Sequence, residues 1–143
     1  MKFDNYMILE IPSKSSNESF ARSAVACFAS QLDPNLDELE DIKTAVSEAV
    51  TNCIVHAYPQ ELGTIMIRCR ILKENTLDIV VKDKGVGIAD VEKAREPSFT
   101  TGGKDRSGMG IPIMENFMTS FEIASEPGKG TMVHMRKKLL RRK

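Results

Sequence analysis

The chain predicts an α+β domain built in two layers, a sheet covered by helices on one face. Three observations carry this class. Two amphipathic helical patterns follow a single early strand pattern. Four further strand patterns come as two adjacent pairs, as antiparallel hairpins do. A short third helix pattern stands between the pairs. The 143 residues suit one domain spanning 1–143, with a basic tail at 136–143.

Residues 7–11 (MILEI) read as the first strand, closed by Pro12. Ser15 and Glu18 have the S-x-x-E spacing of a capping box, in which each side chain satisfies a free amide at a helix start. The helix they open runs over 16–32, with Phe20, Ala24, Cys27, Phe28 and Leu32 at helical spacing. Asp33-Pro34-Asn35 breaks it. A second helix spans 36–57, capped by Asn35 with Glu38 at the reciprocal position. Asp37, Glu38, Glu40 and Asp41 fill its first turns, where the helix dipole favours negative charge. Its apolar stripe is Ile42, Ala45, Val46, Ala49, Val50, Cys53, Ile54 and Ala57.

Strands over 64–72 and 76–82 are joined by the turn Lys73-Glu74-Asn75. In the first, Ile65, Ile67, Cys69 and Ile71 alternate with Met66, Arg68 and Arg70, so one face is wet. A short helical segment near 89–95 follows. Residues 98–110 (SFTTGGKDRSGMG) hold four glycines and no core periodicity, the composition of a functional loop. A helix over 111–119 opens with Pro112 in its first turn. Strands 120–125 and 131–138 close the chain around Pro127-Gly128-Lys129-Gly130.

Composition excludes several classes. With 41% hydrophobic and 28% charged residues, the chain is not a largely disordered one. No apolar stretch approaches the roughly 20 residues of a membrane helix, and the N-terminus lacks the pattern of a secretory signal. Net charge is 0, but six of the 20 basic residues lie in the last eight positions, leaving −6 on the first 135. An acidic body argues against nucleic acid as the main partner. The basic end suits either a solvated terminus or contact with acidic lipid or protein. Cys27, Cys53 and Cys69 are widely spaced, fit apolar patterns and read as small core residues. Three unpaired thiols fit a reducing cytoplasm, and no Cys/His spacing suggests a zinc site.

Four short patterns carry candidate chemistry. Glu48 and Asn52 lie one turn apart on one face of the second helix, off its apolar stripe. Asn52 offers Mg²⁺ a hard oxygen donor, and Glu48 can accept a proton from a hydroxyl attacking a phosphate. Such pairs also occur on solvated faces without function. Asp83-Lys84-Gly85-Val86-Gly87 follows a strand directly. Its glycines permit a sharp turn and close approach to a flat ligand, and its aspartate can accept from an exocyclic amine. A plain turn uses the same residues. Arg106-Ser107-Gly108-Met109-Gly110 precedes the third helix, where exposed amides form an anion site and Lys104 adds charge. Neither a Walker A loop nor a Rossmann G-x-G-x-x-G is present. Last comes Gly128-Lys129-Gly130-Thr131 at the head of the final strand.

The order E-x-x-x-N, D-x-G-x-G, glycine-rich lid with S-G-M-G, then G-x-G-T resembles the Bergerat (GHKL) ATP-binding fold. The stretch SNESFARSAVACFASQLDPNLDELEDIKTAVSEAVTNCIVHAY, with FTT, RSGMGIPIMENFM and GKGT, is similar to the bacterial anti-sigma-factor serine kinases over residues 8–136. Within them it resembles the sporulation group, whose sigma partner is of the sigma-F type.

The resemblance implies a mixed, mostly antiparallel sheet and a set of site residues. Glu48 matches the general base, and Asn52 the Mg²⁺ ligand. Asp83 matches the acceptor of the adenine amine, with Gly85 and Gly87 at the base-binding turn and Thr131 beside it. Thr101 belongs to the lid, and Ser107, Gly108, Met109 and Gly110 to its phosphate-contacting end, with Arg106 facing the γ-phosphate. Glu18 and Arg22 fall on the helical surface that meets protein partners.

The implied activity is that of a cytoplasmic anti-sigma factor that binds and inhibits a sigma factor. It would use ATP and Mg²⁺ to phosphorylate a serine of a small anti-anti-sigma protein, and would form a homodimer through its sheet and first helix. The alternatives are a general-stress-type anti-sigma kinase, a detached histidine-kinase ATPase domain and a non-enzymatic sigma-binding module. The second needs a phosphoacceptor histidine on a dimerisation helix, and the chain has only His56 and His134, neither on such a helix.

Overall fold

The computed structural model describes residues 3–59, 61–88, 91 and 110–140. Its central element is α2 (Leu36–Asn52). The predicted capping box forms: the Asn35 side chain accepts from the Glu38 amide at 2.7 Å, and the Glu38 carboxylate accepts from the Asn35 amide at 2.9 Å. The predicted stripe is the buried one, through Ile42, Ala45, Val46, Ala49 and Val50. Beyond Asn52 the helix widens into a π turn, Cys53–Ala57, in place of the continuous α-helix expected to residue 57.

Helix α1 (Asn17–Ala29) passes into a 3-10 turn, Ser30–Leu32. Its predicted capping box does not form. Ser16 caps it without a side-chain bond, and Glu18 instead accepts from the Ser47 hydroxyl at 2.8 Å, tying α1 to α2. The buried face is Ala21, Val25, Phe28 and Ala29. Phe20 is 52% exposed, and Cys27 is exposed rather than in the core. Ala21, Val25, Phe28 and Ala29 recur at helical spacing and form the face turned to the core, and Phe20 and Cys27 fall off that stripe.

Among the described residues the sheet has five strands: β1 (Asn5–Pro12), β2 (Thr64–Leu72), β3 (Thr76–Asp83), β4 (Ser120–Glu126) and β5 (Gly130–Lys138). Their order is β1-β2-β3-β5-β4, and all four pairings are antiparallel, not mixed as the resemblance implied. The β2–β3 turn places Glu74 and Asn75 in the left-handed region, as a tight hairpin requires. Helix α3 (Gly110–Phe117) contains Pro112 and packs on α2, as α1 does. The helical segment expected near 89–95 lies outside the described residues, Val91 excepted.

Strand parity divides β3 between two environments. Leu77, Ile79 and Val81 join Ile65, Ile67, Cys69, Val133 and Met135 in the core beneath the helices. Asp78 faces the other way, fully buried by the arms around it. Its Oδ1 accepts from Arg136 Nε at 2.8 Å and lies 2.6 Å from His134 Nε2, and its Oδ2 accepts from Arg70 Nε at 3.1 Å. Burial alone would raise the Asp78 pKa. The bonds from His134, Arg136 and Arg70 outweigh it and hold the carboxyl below its ordinary value. Arg136, Lys137 and Lys138 of the basic end belong to β5, and Lys137 reaches Asp41 of α2 at 3.1 Å.

Asp78→Asn removes the charge on which these side chains converge. The expected loss is about 2–4 kcal/mol at neutral pH, read by urea unfolding. A depressed carboxyl stabilises the fold above its unfolded pKa, and that share is lost as pH falls through its folded value. Wild-type stability should therefore drop more steeply below about pH 4 than that of the variant. Equal acid slopes would contradict an ionised cluster.

Candidate functional site

The site residues that the structure describes gather where the C-terminal end of α2, the end of β3 and the start of α3 meet. Glu48 and Asn52 occupy the last turns of α2, both partly buried, on the side facing α3. Gly110 opens α3 against them. A Cβ there would stand 3.0 Å from Glu48 Oε2 and 3.5 Å from Asn52 Oδ1, so a bare Cα lets the helix start approach the carboxylate and the amide.

Asp83 ends β3 and is 6% exposed. Its Oδ1 accepts two backbone amides, from Gly85 at 2.9 Å and from Thr131 at 3.2 Å. Its Oδ2 accepts from the Cys53 thiol at 3.4 Å. Burial, reinforced by the Asp83 charge, pushes the Cys53 pKa up, so the sulfur keeps its proton and remains a donor.

The turn after Asp83 is held from three sides. Ala57 O accepts the Val86 amide at 2.9 Å, and the Tyr58 hydroxyl accepts the Lys84 amide at 2.7 Å while donating to Thr64 O at 2.8 Å. Burial raises the Tyr58 pKa against those bonds, so the phenol stays protonated. Gly85 packs so tightly on Ala57 O that a Cβ would lie 2.2 Å from it. Gly87 has φ +78° and lies against the Glu126 carbonyl of the β4–β5 turn. The Ser125 hydroxyl accepts the Ile88 amide at 2.7 Å and lies 2.7 Å from Thr131 Oγ1. Two distant segments, 83–88 and 125–131, are thereby fastened together.

Of the predicted site residues, the structure brings Glu48, Asn52 and Gly110 together at one end. It brings Asp83, Gly85, Gly87 and Thr131 together at the other. Thr101, Arg106, Ser107, Gly108 and Met109 lie outside the described residues, as does Lys104. Glu18 and Arg22 approach at 3.7 Å on α1. Cys53, Tyr58 and Ser125 were missed as site residues. Cys53 follows Asn52 directly but fits the apolar stripe, and the other two gain meaning only from strand register.

A family model described as a histidine kinase-like ATPase domain matches residues 11–137. Fold and site thus define a domain of that class. A chain named anti-sigma F factor from Caldanaerobacter subterraneus is 56% identical over 138 residues, covering 96% of each chain. Another of that name, from Clostridium acetobutylicum, is 50% identical over 136 residues, covering 94% of each. This chain belongs to the anti-sigma F factor family. Among solved structures, the RsbU and RsbW domains of a Mycobacterium tuberculosis protein share its fold. Their TM-score is 0.72 at 16% identity, over 97% of this chain and 34% of that one. The mycobacterial sensor histidine kinase MprB has a TM-score of 0.58 at 16% identity, over 95% of this chain and all of that one.

Gly128 and Gly130 both have positive φ, but only Gly130 is hemmed in, its missing Cβ falling 2.2 Å from Asp83 O. Gly128→Ala should cost about 1 kcal/mol, from the left-handed backbone alone. Gly130→Ala adds a clash with backbone and should cost about 3 kcal/mol. Matching unfolding midpoints for the two variants would refute the close packing of β5 on Asp83.

Proposed function

We propose that the chain is a cytoplasmic anti-sigma factor that holds a sigma factor of the sigma-F type and, as an ATP-dependent serine kinase, phosphorylates a small anti-anti-sigma protein. We place the sigma factor and that substrate against the α1 surface around Arg22 and Glu18, and infer a homodimer formed through the sheet and first-helix region. The names of the relatives support the sigma partner. One observation supports the kinase reading above the rest. A buried carboxylate with an oxygen turned to the α2 end stands at one side, and a carboxylate–amide pair under a helix N-terminus stands at the other.

The residues fit both implied groups. The bare Cα of Gly110 leaves beside Glu48 and Asn52 a cradle that a methyl group would fill. Mg²⁺ takes few protein ligands and keeps waters and phosphate oxygens. A single amide oxygen from Asn52 therefore suits it, and among the described residues no three acidic, His or Cys side chains are placed to hold a metal ion by themselves. When bound, MgATP supplies the transferable phosphoryl group and the charge that neutralises its oxygens.

The chain's own residues do the rest. Asp83 accepts the exocyclic amine of the base, while Gly85 and Gly87 let the backbone lie against the ring. The start of α3, with Ser107, Gly108, Met109 and Arg106 preceding it and Thr101 in the lid, receives the phosphates through amides and positive charge. Asn52 orients the metal. Glu48 accepts the proton of the substrate serine hydroxyl.

Calorimetric titration of ATP with and without Mg²⁺ should detect Mg²⁺-dependent binding. Glu48→Gln should cut phosphotransfer to the anti-anti-sigma protein by about 100-fold or more while ATP affinity stays within about twofold. Asp83→Asn should weaken ATP binding about 10-fold or more. Undiminished transfer by the first variant removes the base assignment, and unchanged affinity in the second removes the base-site assignment.

A further inference from the structure

Under the nucleotide reading above, on which this inference rests, the Asp83 carboxylate must offer a fixed oxygen to an exocyclic amine. Its two oxygens are held differently. Oδ1 carries two backbone amides and is committed to the turn. Oδ2 carries the Cys53 thiol, with a lone pair left for a ligand. Cys53 as a residue is 4% exposed, so this bond forms away from bulk water. Cys53 is also the first residue of the π turn, next in the chain to Asn52. Such widened turns often occur at functional sites. The same turn holds the base loop again at its far end, through Ala57 O on the Val86 amide, and Tyr58 holds the Lys84 amide just beyond.

We propose that Cys53 is a positioning residue that aims Asp83 Oδ2 at the purine 6-substituent. The thiol touches no ligand and takes no part in chemistry. It donates to the oxygen that meets the base, limiting rotation of the carboxylate about its Cβ–Cγ bond. A fixed carboxylate pairs with a 6-amino group and repels a 6-oxo group, so the thiol sharpens discrimination between the two. Without it, Oδ2 is restrained only through Oδ1, and the carboxylate can turn to lessen the repulsion.

The test uses the full chain and two nucleotides, ATP and its 6-oxo counterpart ITP, titrated with Mg²⁺. Cys53→Val keeps the shape without the donor, Cys53→Ala is a second donor-less form, and Cys53→Ser restores a donor. Unfolding midpoints are measured alongside. Wild type should prefer ATP. Cys53→Val and Cys53→Ala should lose about 5- to 10-fold in ATP affinity while ITP affinity holds or rises slightly, narrowing the preference. Cys53→Ser should keep the preference within about twofold of wild type. A lowered midpoint with an intact ATP-to-ITP ratio in the donor-less variants would assign Cys53 to packing and overturn the proposal. A wild-type chain that binds neither nucleotide would instead overturn the functional reading itself, and this inference with it.

Discussion

The site depends on one buried carboxylate. Asp83 sits at the end of a central strand, where α2, the β4–β5 turn and its own following loop converge. A carboxylate removed from water is tolerated when hydrogen bonds satisfy its oxygens. Here the donors come from three separate segments: Cys53 from the helix layer, Gly85 from the adjacent loop and Thr131 from β5. Satisfying Asp83 therefore fixes the relative position of those segments. The glycines at 85, 87 and 130 follow from this, because the converging backbones leave no room for a Cβ.

The same strand carries a second buried aspartate, and the contrast explains why only one of the two is proposed as a ligand site. Asp78 lies five residues earlier on the opposite face and is enclosed by the long, charged arms of Arg70 and Arg136, with His134 closing on Oδ1. Both of its oxygens accept from cations. Asp83 has no cation bonded to either oxygen among the described contacts, only amides and a thiol. A carboxylate saturated by cations organises a sheet face. One held by weaker, neutral donors keeps capacity to accept another, as an amine-bearing ligand demands.

Much of this was legible in the sequence. The spacing of apolar residues and the Asn35–Glu38 pair defined α2 to within the π turn, because burial and capping there are local properties of one helix. The alternation in 64–72 and the β-rich run 76–82, joined by a short turn, gave both strands and their hairpin. The first helix was less legible. Its stripe is offset from the one that Phe20, Ala24 and Cys27 suggested: Ala21, Val25, Phe28 and Ala29 face inward, and the choice between two overlapping apolar faces is made by contact with α2 rather than by spacing. Glu18, spaced for a cap, is drawn away by Ser47, a partner 29 residues distant. The roles of Cys53, Tyr58 and Ser125 arise from tertiary contacts across 26 to 37 residues, which no local pattern encodes.

That Ser47–Glu18 bond also bears on how the proposed partner surface and the proposed nucleotide site communicate. Glu18 pairs with Arg22 on α1 and holds Ser47 on α2, and the next residue in the chain is Glu48. A protein docking on Arg22, as proposed, would compete for the Glu18 carboxylate and so act on the helix that carries the carboxylate–amide pair. In the π turn that directly follows α2, Cys53 and Ala57 bind the 83–88 loop. Coupling between sites is reciprocal: if nucleotide state changes the affinity for a partner, the partner must change the affinity for nucleotide by the same factor. A single rigid helix joined to both surfaces by named hydrogen bonds is a physical route for that exchange, and it needs no large rearrangement of the sheet.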